Sequence, residues 1–506
     1  MPATKRPNIL FLMTDQQRHD ALGSANPVYR TPALDRLAAR GVRFSQAVCN
    51  VPMCVPSRYS MMTGLYGFQC GVKHNAQMVT RDPEMPVPTL AERLRAAGYQ
   101  TAGFGKTHWY IGEAVMPGVP VEGSRRGFEV RALRGSKGPN NDEAGGLYMA
   151  DDRPDWHGPV AKEQAGGGPG GESVPGYVGA TSAIPGERQA EGWLTDKALD
   201  FLERGRDPAR PFFMYLSLDY PHVPLFVPPG FEELYDLADF PDNPPPEPVP
   251  GGHVAGHRFE EIWPAMSPDE RRRSRLRYAA LCSYTDSLFG RVLDRLEALG
   301  ELENTFVLFT SDHGDMLGDR GRVTKYSLYE GSVRVPLIVA GPGVASPGMV
   351  DERPAELVDV VPTLLDAAGL EIPDALPGLS LLSDAVRPGS FAEMHGRGYE
   401  EYQRAPAVMY RTAEWKLILH LPGRLGEALP AAGRISGELY RLADDPLELN
   451  NCYADAACAQ VRERLTAQAL MHLMCSVGRF PSAPSRARVR VTGPETKPDR
   501  SIWPQP

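Results

Sequence analysis

The sequence predicts an α/β protein: a large central mixed, mostly parallel sheet flanked by helices, followed by a smaller C-terminal α+β domain containing an antiparallel sheet. Three observations carry this reading. Compact apolar runs recur at 8–14, 100–105, 211–219 and 305–310, each followed at once by polar or charged residues. Such runs read as buried strands whose carboxyl ends face a ligand crevice. Segments with helical spacing of apolar residues stand between them, and from about Arg387 the pattern shifts to shorter alternating runs.

Taken in order, residues 8–14 form the first strand and present Asp15 and Gln16. Thr31-Pro32 opens a helix by the N-cap and N1 preference, with Leu34, Leu37 and Ala38 inward and Gly41 as its stop. Residues 42–48 alternate as a strand and lead to VPMCVPSRYSMMTGLYG at 51–67. Residues 89–97 read as a helix ended by Gly98, and 100–105 as a strand delivering Lys106. The stretch 112–187 is rich in Gly and Pro without sustained periodicity, so it is expected to cover the site as an irregular segment. A helix near 191–203 follows, then a strand at 211–219 that delivers Tyr220-Pro221-His222. Residues 224–263 form a second covering, and 268–299 a long helix with Leu281, Leu288, Val292 and Leu296 on its stripe. The strand at 305–310 delivers Ser311-Asp312-His313-Gly314, 335–340 is a further strand, and 358–368 a helix ended by Gly369. Beyond Arg387, 407–410 and 416–420 alternate as strands, 438–451 reads as a strand with a turn, and a helix near 460–474 packs on them. The expected division is 1–386 for the catalytic α/β domain, 387–478 for the C-terminal domain, and 479–506 for a Pro- and Arg-rich tail that could clasp subunits of a homo-oligomer.

The 506 residues, 42% hydrophobic, suffice for more than one lobe, because single cores stop growing near roughly 250–300 residues. A net charge of −9 argues against nucleic acid or an anionic membrane as partner. The seven cysteines lack framework spacing, and the apolar run at 9–13 is too short for a signal-peptide core. Both point to a soluble cytoplasmic protein.

The chemistry gathers around Cys54-Val55-Pro56-Ser57-Arg58. Pro56 and Ser57 suit the first turn of a helix, which puts Cys54 just before its N-terminus, where free N–H groups favour a negative group. A lone cysteine is more commonly a buried structural residue. The strand ends change that balance: Asp15-Gln16, Asp312-His313, and Lys106 with His108 supply carboxylates, an imidazole and a cation, each just beyond an apolar strand. That is a donor set for a divalent metal.

With these pieces assembled, the chain resembles the type I, formylglycine-dependent sulfatases of the alkaline phosphatase superfamily. NILFLMTDQ, the CxPSR segment, Gly105-Lys106-Thr107-His108-Trp109, SDHGD at 311–315, Lys325 with YEGSVRVPL at 329–337, and the late ELYRLADDPLELNN occur in the order that family shows. The resemblance implies a sulfatase that hydrolyses a small-molecule sulfate ester to alcohol and sulfate. In it Cys54 is oxidised to formylglycine by a formylglycine-generating enzyme, and one hydroxyl of the hydrated aldehyde attacks sulfur. It further implies that Asp15, Asp312, His313 and the modified Cys54, with Gln16 as a further ligand, hold one divalent metal. Arg58 and Lys106 hold the diol and the anionic ester, His108 assists the second hydroxyl, and His222 and Lys325 face the leaving-group oxygen. Gln16 and His313 stand where many sulfatases have Asp and Asn, which is closer to choline sulfatase and the phosphonate monoester hydrolases. That softer donor set leans toward Mn²⁺, with Ca²⁺ as the alternative. It also leaves a phosphonate monoester hydrolase or phosphodiesterase as the alternative activity. Asn75, twenty-one residues after Cys54, matches an asparagine that touches the ester oxygens, with His74 as a lesser competitor. Thr107, Trp109, Tyr110, His157 and His395 read as packing or surface residues, Arg334 as a structural ion-pair partner, and Glu393, together with His395, as a distant candidate for substrate contact. Cys49, Cys70 and Cys282 read as core residues, and Cys452, Cys458 and Cys475 as incidental.

Overall fold

The computed structural model describes residues 6–73, 75, 87–107, 126–132, 174–243, 259–395, 406–420 and 436–478. The first ten described strands are β1 (Asn8–Asp15), β2 (Gly41–Val48), β3 (Gln100–Gly105), β4 (Val130–Ala132), β5 (Ala180–Thr181), β6 (Phe212–Pro221), β7 (Phe226–Val227), β8 (Thr305–Ser311), β9 (Leu337–Ala340) and β10 (Met349–Glu356). Eight of them form one sheet in the order β10-β2-β9-β8-β1-β6-β3-β4. Only β9 runs against its neighbours β8 and β2; every other pairing is parallel. The last four described strands, β11 (Ser390–Met394), β12 (Ala407–Arg411), β13 (Trp415–His420) and β14 (Ser436–Arg441), form an antiparallel sheet in sequence order. The expected fold class is therefore what the chain adopts.

The central strands are apolar because both faces of the sheet are covered. All eight residues of β1 are buried, and it pairs in parallel with β8 and, through a register shift between Met13 and Asp15, with β6, so Asp15, Pro221 and Ser311 finish at one edge. The longer helices among the described residues are α1 (Pro32–Arg40), α2 (Cys54–Thr63), α3 (Leu90–Ala96), α4 (Ala190–Asp200), α5 (Pro268–Ala298), α6 (Val360–Ala367) and α7 (Ala459–Gly478). Helix α1 starts with Pro32 at its first turn and buries Ala33, Leu34, Leu37 and Ala38. Its first free N–H groups, those of Ala33 and Leu34, donate to Asp286 of α5 at 3.0 and 2.8 Å. Helices α3 and α5 begin with reciprocal caps, Thr89 with Glu92 and Ser267 with Glu270. The expected stripe of α5 is buried.

The structure departs from expectation at identifiable places. Strand β10 was not foreseen, since it is an edge strand with an exposed start, a proline and a register shift between Asp351 and Pro354. Such edges carry no clean apolar alternation. Helix α6 is preceded by a separate tight turn, Leu357–Asp359. The two segments expected to be irregular coverings contain a short helix, Val174–Val178, and strands β5 and β7, which pair in parallel and tie one covering to the other. Residues 112–125 and 133–173 of the first segment, 244–258 of the second, and the tail 479–506 lie outside the described residues. All seven cysteines are free, and among the described residues no helix is long and apolar enough to cross a membrane.

Candidate active site

The carboxyl ends of β1, β3, β6 and β8 and the first turn of α2 converge on one buried site. Helix α2 begins at Cys54 itself, with Met53 extended as its N-cap, so Cys54 lies inside the first turn rather than just before it. Met53 has no side-chain acceptor to offer. The N–H of Val55 is satisfied from outside, donating to Asn75 Oδ1 at 3.1 Å. Asn75 Nδ2 in turn donates to Tyr326 Oη at 3.5 Å. Gly64, at φ 75°, gives the left-handed residue that ends the helix.

Arg58 lies one turn along α2 and is almost completely buried. Its Nη2 donates to Asp15 Oδ2 at 3.0 Å and its Nε to Asp312 Oδ2 at 2.8 Å. Its Nη1 donates to the Lys106 carbonyl at 2.6 Å and to Ser217 Oγ at 3.0 Å. One guanidinium thus bridges two carboxylates through their outer oxygens, leaving both Oδ1 atoms turned the other way. Those atoms meet Cys54 Sγ and His313 Nε2. Sγ is 3.2 Å from Nε2 and 4.0 Å from Asp15 Oδ1, and Nε2 is 3.8 and 3.7 Å from the Oδ1 atoms of Asp15 and Asp312. His313 Nδ1 faces the Gly314 carbonyl at 3.0 Å. A carbonyl only accepts, so Nδ1 carries the proton and Nε2 offers a lone pair.

One ligand atom from each of Asp15, Cys54, Asp312 and His313 lies within 4.8 Å of the others, and all four residues are buried. That spread is what donors about 2.0–2.6 Å from a shared ion require. The four residues fit a divalent metal, and the orientation imposed by Arg58 and by the Gly314 carbonyl supplies the outer support such sites need.

Lys106 Nζ lies 2.6 Å from Asp15 Oδ2. Burial alone would raise the Asp15 carboxyl; Lys106, followed by His222, Arg58 and His313, holds it well below the usual carboxylate range. Burial would lower the Lys106 ammonium, but Asp15 outweighs it and keeps the group charged.

Opposite stands Lys325, whose Nζ is 2.7 Å from His222 Nε2 and 2.8 Å from Gln16 Oε1. Gln16 sits at φ 68°, and its Nε2 donates to Asp315 Oδ2 at 2.6 Å and to Tyr177 Oη at 3.3 Å. Asp315 accepts only, which fixes the carboxamide with its oxygen toward Lys325. The other Asp315 oxygen takes the N–H groups of Leu317 and Thr324 at 2.8 Å each.

The structure therefore brings Asp15, Gln16, Cys54, Arg58, Lys106, His222, Asp312, His313 and Lys325 into one site and puts Asn75 at its helix end. His108, along with His74, Trp109, Tyr110 and His157, lies outside the described residues. Thr107 accepts from Arg131 at 2.7 Å, and Glu393 accepts the Phe68 N–H at 2.8 Å while pairing with His395, so these groups brace the fold. Arg334 pairs with Glu330 at 3.3 Å, as expected. Sequence reading missed Asp315, Tyr177 and Ser217. Asp315 stood inside a recognised run without a role. Tyr177 belongs to a covering segment without periodicity, and Ser217 looks like any polar interruption of a buried strand.

Residues 7–370 match a family model described as sulfatase, and residues 318–474 match one described as N-sulphoglucosamine sulphohydrolase, C-terminal. The chain is 32% identical over 398 residues to an arylsulfatase of Clostridium perfringens, across 74% of this chain and 78% of the relative. It is 30% identical to a choline-sulfatase of Rhizobium meliloti, across 88% and 82%. Among solved structures, a phosphonate monoester hydrolase from Silicibacter pomeroyi superposes with a TM-score of 0.72 at 26% identity, over 94% of this chain and 97% of that one. A structure described as in complex with its substrate D-glucosamine-2-N,6-O-disulfate superposes with a TM-score of 0.70 at 22% identity, over 94% and 99%, and shares the fold.

Proposed function

The chain belongs to the sulfatase family and is a sulfuric ester hydrolase, and on that premise we propose that it cleaves its sulfate ester with a formylglycine made from Cys54. The observation that carries the reading is the position of Cys54 Sγ, 3.2 Å from His313 Nε2 and beside the inward oxygen of Asp15. A formylglycine-generating enzyme would make the aldehyde, whose hydrate would supply one hydroxyl as the nucleophile for sulfur and a second whose loss of a proton would release sulfate. Asp15, Asp312, His313 and residue 54 would hold one divalent ion, which supplies positive charge for the ester's anionic oxygens. Two carboxylates and an imidazole favour Mn²⁺, with Ca²⁺ as the alternative.

The chain's own groups do the rest. Lys106 places a cation on the Asp15 side of the site, and Arg58 keeps both aspartates aimed inward. Lys325 stands opposite and gives its proton to the alcohol oxygen as the sulfur–oxygen bond breaks. His222 accepts a hydrogen bond from Lys325 and so holds the ammonium in place. His108 is assigned the proton of the second hydroxyl, and Asn75 supports the helix turn that presents residue 54.

Turnover of matched aryl sulfate and phenyl phosphonate monoesters tests this reading. A higher kcat/KM on the sulfate is expected. Dominant phosphonate hydrolysis would overturn the substrate assignment and turn the same site toward phosphorus esters.

A further inference from the structure

A second polar cavity, of about 210 Å³, lies between the loop that follows β1 and one side of β2. Its polar lining is His19, Asp20, Arg43, Ser45 and Arg334. We propose that it is a second anion site, which takes a free tetrahedral oxyanion the size of sulfate.

The argument is one of unused donors. Arg43, on β2, makes no hydrogen bond and no ion pair within the described residues; burial lowers its guanidinium and the charge of Asp35 offsets part of that. His19 makes no hydrogen bond there either, although it is partly buried. Arg334 uses Nη1 on Glu330 and Nη2 on the Ser45 carbonyl, while its buried Nε has no acceptor among the described residues. Glu330 is shared with Arg411 at 2.8 Å and Lys416 at 2.9 Å, so little of its charge is left for Arg334. The one carboxylate in the lining, Asp20, has both oxygens engaged by Arg18, at 2.8 and 2.9 Å. Arg334 Nε, the Arg43 guanidinium and the His19 imidazole thus border the cavity without a hydrogen-bond acceptor among the described residues. Burial and the neighbouring Arg334 push the His19 imidazole down to about 3, so it is neutral here and offers a single N–H. Leaving a buried donor such as Arg334 Nε unpaired is costly, and an oxyanion satisfies several donors at once.

Volume decides the class of ligand. At about 30 Å³ per water the cavity has room for a small hydrated anion, but it falls below the roughly 300–1,000 Å³ that larger organic ligands occupy. The volume thus suits a small oxyanion rather than a whole sulfated saccharide. The lining contains none of the catalytic groups, and among the described residues neither His19 nor Arg334 hydrogen-bonds one. The inference does not rest on the proposed mechanism.

Crystals of the metal-loaded enzyme soaked in selenate, a heavier analogue of sulfate, test it directly. An anomalous peak within hydrogen-bonding reach of Arg334 Nε and Arg43 is expected. A peak at the catalytic site with none in this cavity would overturn the proposal. In solution, equilibrium dialysis with labelled inorganic sulfate should find one more anion bound per wild-type chain than per Arg43→Glu chain, with ester turnover equal in the two. Equal anion stoichiometry would also overturn it, and the wild-type soak decides the question if the variant does not fold.

Discussion

Lys325 Nζ lies 2.7 Å from His222 Nε2, and His222 Nδ1 lies 2.7 Å from the carbonyl oxygen of Val223. The carbonyl accepts the Nδ1 proton, so Nε2 is the acceptor for the ammonium. Burial, and then Lys325 itself, hold this imidazole well below its ordinary range. The pair therefore stores its transferable proton on the lysine, and the histidine steers it.

From this follows a leaving-group signature. Lys325→Ala should slow hydrolysis of alkyl sulfates by about 10²–10⁴, while esters of acidic phenols, which leave without a proton, lose far less. The check is a plot of log kcat/KM against leaving-group pKa for both enzymes. The variant should show the steeper slope; parallel lines would remove Lys325 as the acid.

Arg58 neutralises two fully buried carboxylates at once, so its loss should reach both stability and metal content. Arg58→Ala is expected to cost about 3–5 kcal/mol, the usual penalty for orphaning a buried charge. Arg58→Lys should recover little, because a point charge cannot bridge both Oδ2 atoms. Urea unfolding and metal analysis of the purified variants measure the two effects.

A second buried network fastens the antiparallel sheet to the segment after Lys325. Glu330 receives Arg411 of β12 and Lys416 of β13, and Lys416 also reaches Glu448 at 2.8 Å. Glu330→Gln should therefore destabilise the protein by about 3–5 kcal/mol. The fall in urea midpoint tests this. A midpoint unchanged from wild type would mean that the network relaxes onto Glu448.

Asp286 gives a pH prediction. Burial pushes its carboxyl up to about 7 despite the two N–H groups of α1 that it accepts. A raised folded value means that its contribution is full below the unfolded value of 3.8 and is lost as pH rises toward 7. Asp286→Asn mimics the protonated form. It should become more stable relative to wild type as pH goes from about 5 to about 7.5. Urea midpoints at the two pH values measure this, and a constant gap would show an ionised Asp286 throughout.

Much of the site was legible because it lies where apolar runs stop. Asp15, Lys106, His222 and Asp312 each follow a strand that announces itself by burial on both faces. Less legible was what each group touches. Arg58 was expected on the ester and is seen clamping Asp15 and Asp312. Gln16 was expected as a ligand, yet its oxygen meets Lys325 because Asp315 claims its nitrogen. Such partnerships arise between elements some 300 residues apart in the chain, and local spacing carries no trace of them. Strand β10 escaped for the opposite reason: an edge strand needs no apolar pattern to pair.

The central claim is that residue 54 acts as an aldehyde rather than a thiol. Mass analysis of the tryptic peptide spanning 44–58, taken from fully active enzyme, tests it most directly. The account predicts a peptide in which sulfur and two hydrogens have been replaced by one oxygen. An intact thiol at Cys54 in fully active enzyme would contradict it.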